Sequence, residues 1–318
     1  MRWGPLLVLL AVLSTGCVTT GYRNAVGGFA TATVAAADAV STSLAQADVQ
    51  AREAAVFDGY GEFEDPAALQ APTIADLNAK SRLTDDQRTI RRSALSTLKS
   101  YGNLLKQLAE SEAPSDVAAA SAKLSTQAGE LQQTLSSLGG GDGAFGALMQ
   151  PVSSLFGQVL KAVLATAIRQ ALDDAILGGE VAIGVFDEAM EKDLIALHQD
   201  RKAYLSGRRS MLQIALQQTV ERAKDDPGYN LAVIELTERV VAADDALRLW
   251  SVLTPEAAPR ALAKAHEKLR EYAEGGHKKE LLTEAGTAVY ELAEATYQLV
   301  DTLLATAPAG AAALEDSP

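Results

Sequence analysis

The chain has 318 residues and a formal net charge of −13 at pH 7, an acidic excess that opposes nucleic acid and anionic lipid headgroups as partners. Hydrophobic residues make up 48% and aromatic residues only 5%, so a sizeable core is available and it is aliphatic. A single cysteine leaves no disulfide and no multi-thiolate metal site, and stability must come from packing.

The first sixteen residues have the parts of an export signal: Arg2, the apolar run from Leu6 to Leu13, then small residues up to Gly16. The run is too short to cross a bilayer core, which needs about 20 apolar residues. Leu13-Ser14-Thr15-Gly16-Cys17 resembles the lipobox of bacterial lipoproteins. That resemblance covers this segment alone. It implies cleavage between Gly16 and Cys17, lipidation of the Cys17 thiol and attachment to a membrane through the lipid. By the sorting rule that goes with the resemblance, Val18 in place of Asp directs the product to the outer membrane of a Gram-negative cell envelope.

Residues 17–24 then read as a lipidated tether. The rest of the chain is helical in pattern, with apolar residues recurring every three or four positions. The spacing predicts a helix over 25–57 with Phe29, Ala36, Val40, Leu44 and Ala47 on its buried stripe. Residues 58–83, carrying Gly59, Gly61, Pro66 and Pro72, read as a long connection. Thr84-Asp85-Asp86-Gln87 matches a capping box ahead of a helix whose stripe is Ala94, Leu98, Tyr101, Leu105 and Leu108. Pro114 stops that segment and Ser115 caps the next, where Leu124, Leu131 and Leu138 recur at sevens with Ala128 and Leu135 between them.

The N-terminal helical part, 25–138, ends at a glycine-rich linker, 139–151. The C-terminal part, 152–305, opens with a helix over 152–177 that is apolar around most of its circumference and reads as the structural centre. Gly178-Gly179 is expected to end it and to start a fresh helix running to about 224, stopped by Asp226-Pro227-Gly228. Helices over 230–251, 255–273 and 278–305 follow, with Thr254-Pro255 as N-cap and first-turn proline and Gly275-Gly276 as a break. Residues 306–318 read as a frayed tail.

Motifs that would carry chemistry fail on inspection. Gly141-Asp142-Gly143-Ala144-Phe145-Gly146 fits GxGxxG, but a helix precedes it where a dinucleotide site needs a strand. His266-Glu267 opens like a zincin helix, and Arg270 then stands where the second histidine ligand belongs. Glu274-Gly275-Gly276-His277 has the spacing of a di-iron pair, with one copy only and a helix-breaking centre. Ser96 and Lys99 match SxxK without the accompanying KTG. His198, His266 and His277 read as solvated. The expectation is therefore an all-α, elongated bundle of about eight helices without catalytic, cofactor or metal residues. It would act as a non-catalytic scaffold or adaptor for an envelope protein partner; the alternatives are a helical binding module for an apolar ligand such as a lipid and an envelope hydrolase with an unrecognised carboxylate site.

Overall fold

The computed structural model describes residues 18–61, 83–110, 114–137 and 168–307. The expected features at 1–17, at 62–82 and at 138–167 lie outside these residues, and so does the tail from 308. Signal peptide, Gly16, Cys17, the glycine linker and most of the 152–177 helix are among them.

Among the described residues the chain is all-α: α1 (Val18–Gly61), α2 (Asp85–Glu110), α3 (Pro114–Ser137), α4 (Ile168–Asp225), α5 (Asn230–Val252), α6 (Ala257–Glu274) and α7 (Lys279–Ala305). The 3-10 turn Pro227–Tyr229 joins α4 to α5. Among the described residues there are fewer helices than the expected number of about eight. The main reason is α4, which runs through Gly178-Gly179 without a break. Glycine weakens a helix by only about 1 kcal/mol, too little to stop one that packs along both flanks. No described helix is long and apolar enough to cross a membrane.

The described residues divide into two compact units. The first lies within Met1–Val40, Asp85–Lys192 and Glu256–Tyr297, the second within Ser41–Thr84, Asp193–Pro255 and Gln298–Pro318. The first unit thus draws on sequence from either side of the glycine linker.

In the first unit the pairs α1/α2, α2/α3, α4/α6 and α6/α7 run antiparallel. α2 and α3 form a hairpin in which the Thr97 hydroxyl donates to the Gln127 carbonyl at 3.2 Å, and Leu98, Leu105, Leu124, Leu131 and Leu135 are fully buried. The expected stripes of both helices face inward at every described position, Leu138 lying outside the described residues. α3 begins on Pro114 itself, with Ser115 inside its first turn; a proline at the first helical position lacks only an N–H that would be unbonded anyway. α1 runs against α2, joined by Asp38–Lys99 at 2.5 Å and by Arg23 Nε donating to the Ala109 carbonyl at 2.6 Å. α6 lies against the first part of α4, where Arg260 pairs with Glu191 and Arg270 with Glu180. α7 folds back on α6 through Lys264–Glu291 and Lys268–Glu284.

The start of α1 corrects the tether at 17–24. Residues from Val18 onward are helical, Tyr22 is 2% exposed and Arg23 is bonded across to α2. A polar-looking opening, Thr19-Thr20-Gly21-Tyr22-Arg23, hid a buried face.

In the second unit α1 turns a polar face inward. Ser43, Gln46 and Gln50 are buried where Leu44 and Ala47 had been expected, and the Gln46 amide donates to the Leu303 carbonyl at 3.3 Å. α4 and α5 form an antiparallel hairpin closed by Asp226, whose carboxylate accepts the Gly228 N–H at 2.9 Å. Arg209 reaches across to Asp244 at 2.9 Å. Downstream, α6 starts at Ala257 behind Glu256, which makes no side-chain cap, so Thr254 does not cap it. Thr306 also departs from the frayed-tail reading: it is buried, and its hydroxyl accepts the Trp250 indole N–H at 2.7 Å.

Candidate functional site

The residues singled out by motif are scattered into structural roles. Ser96 bonds Gln127 and Lys99 pairs with Asp38, so the SxxK pair faces two different helices. His266 is 2% exposed, which corrects its reading as solvated. Its Nε2 lies 3.1 Å from the Tyr101 hydroxyl, and that hydroxyl lies 3.2 Å from the Ala175 carbonyl. Burial lowers the His266 pKa to about 3, with Arg270 adding to the fall, so the ring is neutral near pH 7. Arg270, in the place of a second zinc ligand, binds Glu274 instead. Among the described residues no group of three His, Cys, Asp or Glu side chains is placed to hold a metal ion.

His277 owes its position to the end of α6. Gly276 takes φ 72° and His277 φ 64°, and the His277 N–H bonds back to the Tyr272 carbonyl at 3.3 Å. This is the six-to-one bond of a Schellman cap, which needs a left-handed residue that glycine adopts without strain. The cap swings the imidazole to within 3.5 Å of the Asp173 carboxylate and onto the edge of Tyr272, with ring centroids 5.0 Å apart. Tyr22 stacks on Tyr272 at 4.6 Å. Burial pushes the Tyr22 hydroxyl far above the ordinary phenol range, and the Asp173 charge pushes it further. A phenol so disposed is a poor base and a poor nucleophile; what the cluster does is close the end of the core with aromatic and polar groups.

The second unit is centred on Arg201, 4% exposed, which donates to the Thr306 carbonyl. Its guanidinium lies 5.7 Å over the Trp250 ring and 5.8 Å over Tyr204. Burial lowers its pKa to about 10. Among the described residues Nε and Nη1 find no hydrogen-bond partner, so the cation is held by π faces and one carbonyl. His198 packs on Trp250 at 5.6 Å. Tyr204 bonds Glu53 of α1, and burial lifts the phenol to about 12.

Beyond this centre the hairpin thins to two helices. From Ser206 to Ala242 no residue is buried. Leu212, Ala215, Leu216 and Thr219 of α4, with Val233, Leu236 and Val240 of α5, are half-buried. α5 carries a second apolar face turned the other way: Leu231, Ile234, Val241, Leu249 and Val252, exposed by 71, 57, 54, 42 and 81%. Their spacing continues through Glu238 and Asp245, so the seven positions form one stripe at intervals of three and four. The periodicity places a helix over 230–251 and does not by itself mark this face. The signal was there: apolar residues occupy two opposite sides of the helix, and a two-helix hairpin has room to cover only one. No family model matches the chain, and no curated protein and no solved structure matches it.

Proposed function

We propose that this chain is a lipid-anchored, non-catalytic helical adaptor of the bacterial cell envelope, held to the outer membrane through Cys17. The second apolar face of α5 carries the reading. Five large aliphatic side chains in register on one helix side form a patch of the kind that soluble surfaces keep for partners, and helices recognise one another through such stripes. The pattern Leu13-Ser14-Thr15-Gly16-Cys17 supports the anchor. Because α1 is helical from Val18, the residues after Cys17 offer little slack. Seven helical residues span about 10 Å, against about 25 Å when extended. In this reading the body works close to its own membrane.

The test combines palmitate labelling with site-specific photo-crosslinking in the producing cell. Label should enter the wild type and be lost in Cys17→Ser. A crosslinker at Ile234 or Val241 should trap a discrete envelope protein, and one at exposed Glu267 should not. Labelling that persists in Cys17→Ser removes the anchor, and equal crosslinking at all three positions removes the adaptor.

A further inference from the structure

We infer that the partner seated on the α5 stripe is an amphipathic helix of another protein that carries two basic residues, seven positions apart, within its own apolar seam. This rests on the adaptor reading and adds the chemistry of the partner. The stripe is not uniformly apolar: Glu238 and Asp245 stand in line with Leu231, Ile234, Val241, Leu249 and Val252, both are exposed, and they are one heptad apart. Glu235 flanks the stripe on one side. On the other side Arg248 is held by Asp244 at 2.8 Å, and Asp244 also holds Arg209. Arg239 is turned about 100° away from Glu238 around the helix. The docking face therefore presents two carboxylates at fixed spacing between apolar residues, with its neighbouring cation already engaged.

That pattern selects among occupants. A second copy of this chain fits poorly. Antiparallel pairing about the middle of the stripe matches Leu231 with Val252 and Ile234 with Leu249, and then sets Glu238 against Asp245 of the other copy. Parallel pairing sets each carboxylate against itself. Like charges across a helical seam are destabilising. An anionic lipid surface is opposed for the same reason. A helix with Lys or Arg at the two matching seam positions turns both carboxylates into paired charges, and its aliphatic residues cover the rest of the stripe. Charges at such positions set partner choice more than they set overall affinity.

The experiment uses the full chain in phosphatidylcholine nanodiscs and fluorescein-labelled helical peptides of one design, with Leu and Ile at three-four spacing. One peptide carries Lys at two seam positions seven apart, and its counterpart carries Glu there. Anisotropy at low salt should show the Lys peptide binding about tenfold tighter or more, the scale of two exposed charge pairs plus relief of repulsion. The advantage should shrink as salt rises. Glu238→Lys combined with Asp245→Lys should reverse the preference, and Val241→Glu should abolish binding of both peptides. Circular dichroism confirms that each variant is folded, which is expected because all three positions are exposed. Equal affinity for the two peptides, or no binding of either, overturns the inference. So does a wild-type dimer that Val241→Glu dissolves, or capture by phosphatidylglycerol vesicles without peptide preference. If crosslinks at Ile234 persist while the peptides are not distinguished, the partner chemistry fails and the adaptor reading stands; without crosslinks the adaptor reading itself fails.

Discussion

The Tyr101 hydroxyl meets His266 Nε2 at 3.1 Å directly over Gly179, where a Cβ would lie 2.3 Å from the Tyr101 oxygen and 3.0 Å from the imidazole. Three helices of the first unit, α2, α4 and α6, close on this point. Gly179 is there for space rather than for a helix end. Gly179→Ala should therefore destabilise, by about 1–3 kcal/mol, although alanine is the better helix former. Chemical denaturation of the purified variant checks it. Gly184, whose Cβ would meet nothing within 4 Å, supplies the control: Gly184→Ala should be neutral or stabilising.

His266 makes a pH prediction. Its pKa is about 3 in the folded protein, lowered first by burial and then by Arg270, against 6.5 when unfolded. Between those values the unfolded chain binds the extra proton, so its contribution to stability is full above pH 6.5 and declines as pH falls toward 3. The slope is at most about 1.4 kcal/mol per pH unit. In His266→Gln, unfolding free energies measured from pH 7.5 to 4 should lose this part of the decline. An unchanged pH profile would show that His266 is not the group responsible.

Asp187 acts in the opposite sense. Its pKa is raised from 3.8 to about 6, chiefly by burial, then by Glu191 and Glu188 against an opposing pull from Arg260. The folded protein binds the extra proton between those values, so this contribution is lost as pH rises through 6. Asp187→Asn should stabilise the protein at pH 7.5 by about 1–3 kcal/mol and have little effect at pH 4. Melting temperatures at the two pH values decide it.

The first part of α4 carries the packing expected of a central helix. Leu172 and Ile176 are 1 and 0% exposed. Leu172→Ala should cost about 2–5 kcal/mol. Gln217→Ala, at an exposed position of the hairpin, should fall within about 0.5 kcal/mol of wild type. Equal unfolding midpoints for the two variants would contradict this assignment.

Much of the fold was legible because helix formation and inward-facing stripes follow from local periodicity. Ala94, Leu98, Tyr101, Leu105 and Leu108 are all buried as spaced, and Asp226-Pro227-Gly228 stops α4 because proline and an Asp-bonded glycine cannot continue it. Periodicity does not say which neighbour arrives on which side, and that is where the reading departed. Gly178-Gly179 looked like a boundary until Tyr101 and His266 occupied the space above it. The face of α1 in the second unit is set by Gln46 bonding Leu303, a partner 257 residues away, which no local pattern encodes. His266, read as solvated, is buried because α1 and α2 bring Phe29 and Tyr101 onto it. The stripe on α5 is the same case reversed. The sequence determined that both sides of this helix are apolar, and only the tertiary structure decided which side faces solvent, because a two-helix hairpin can bury just one.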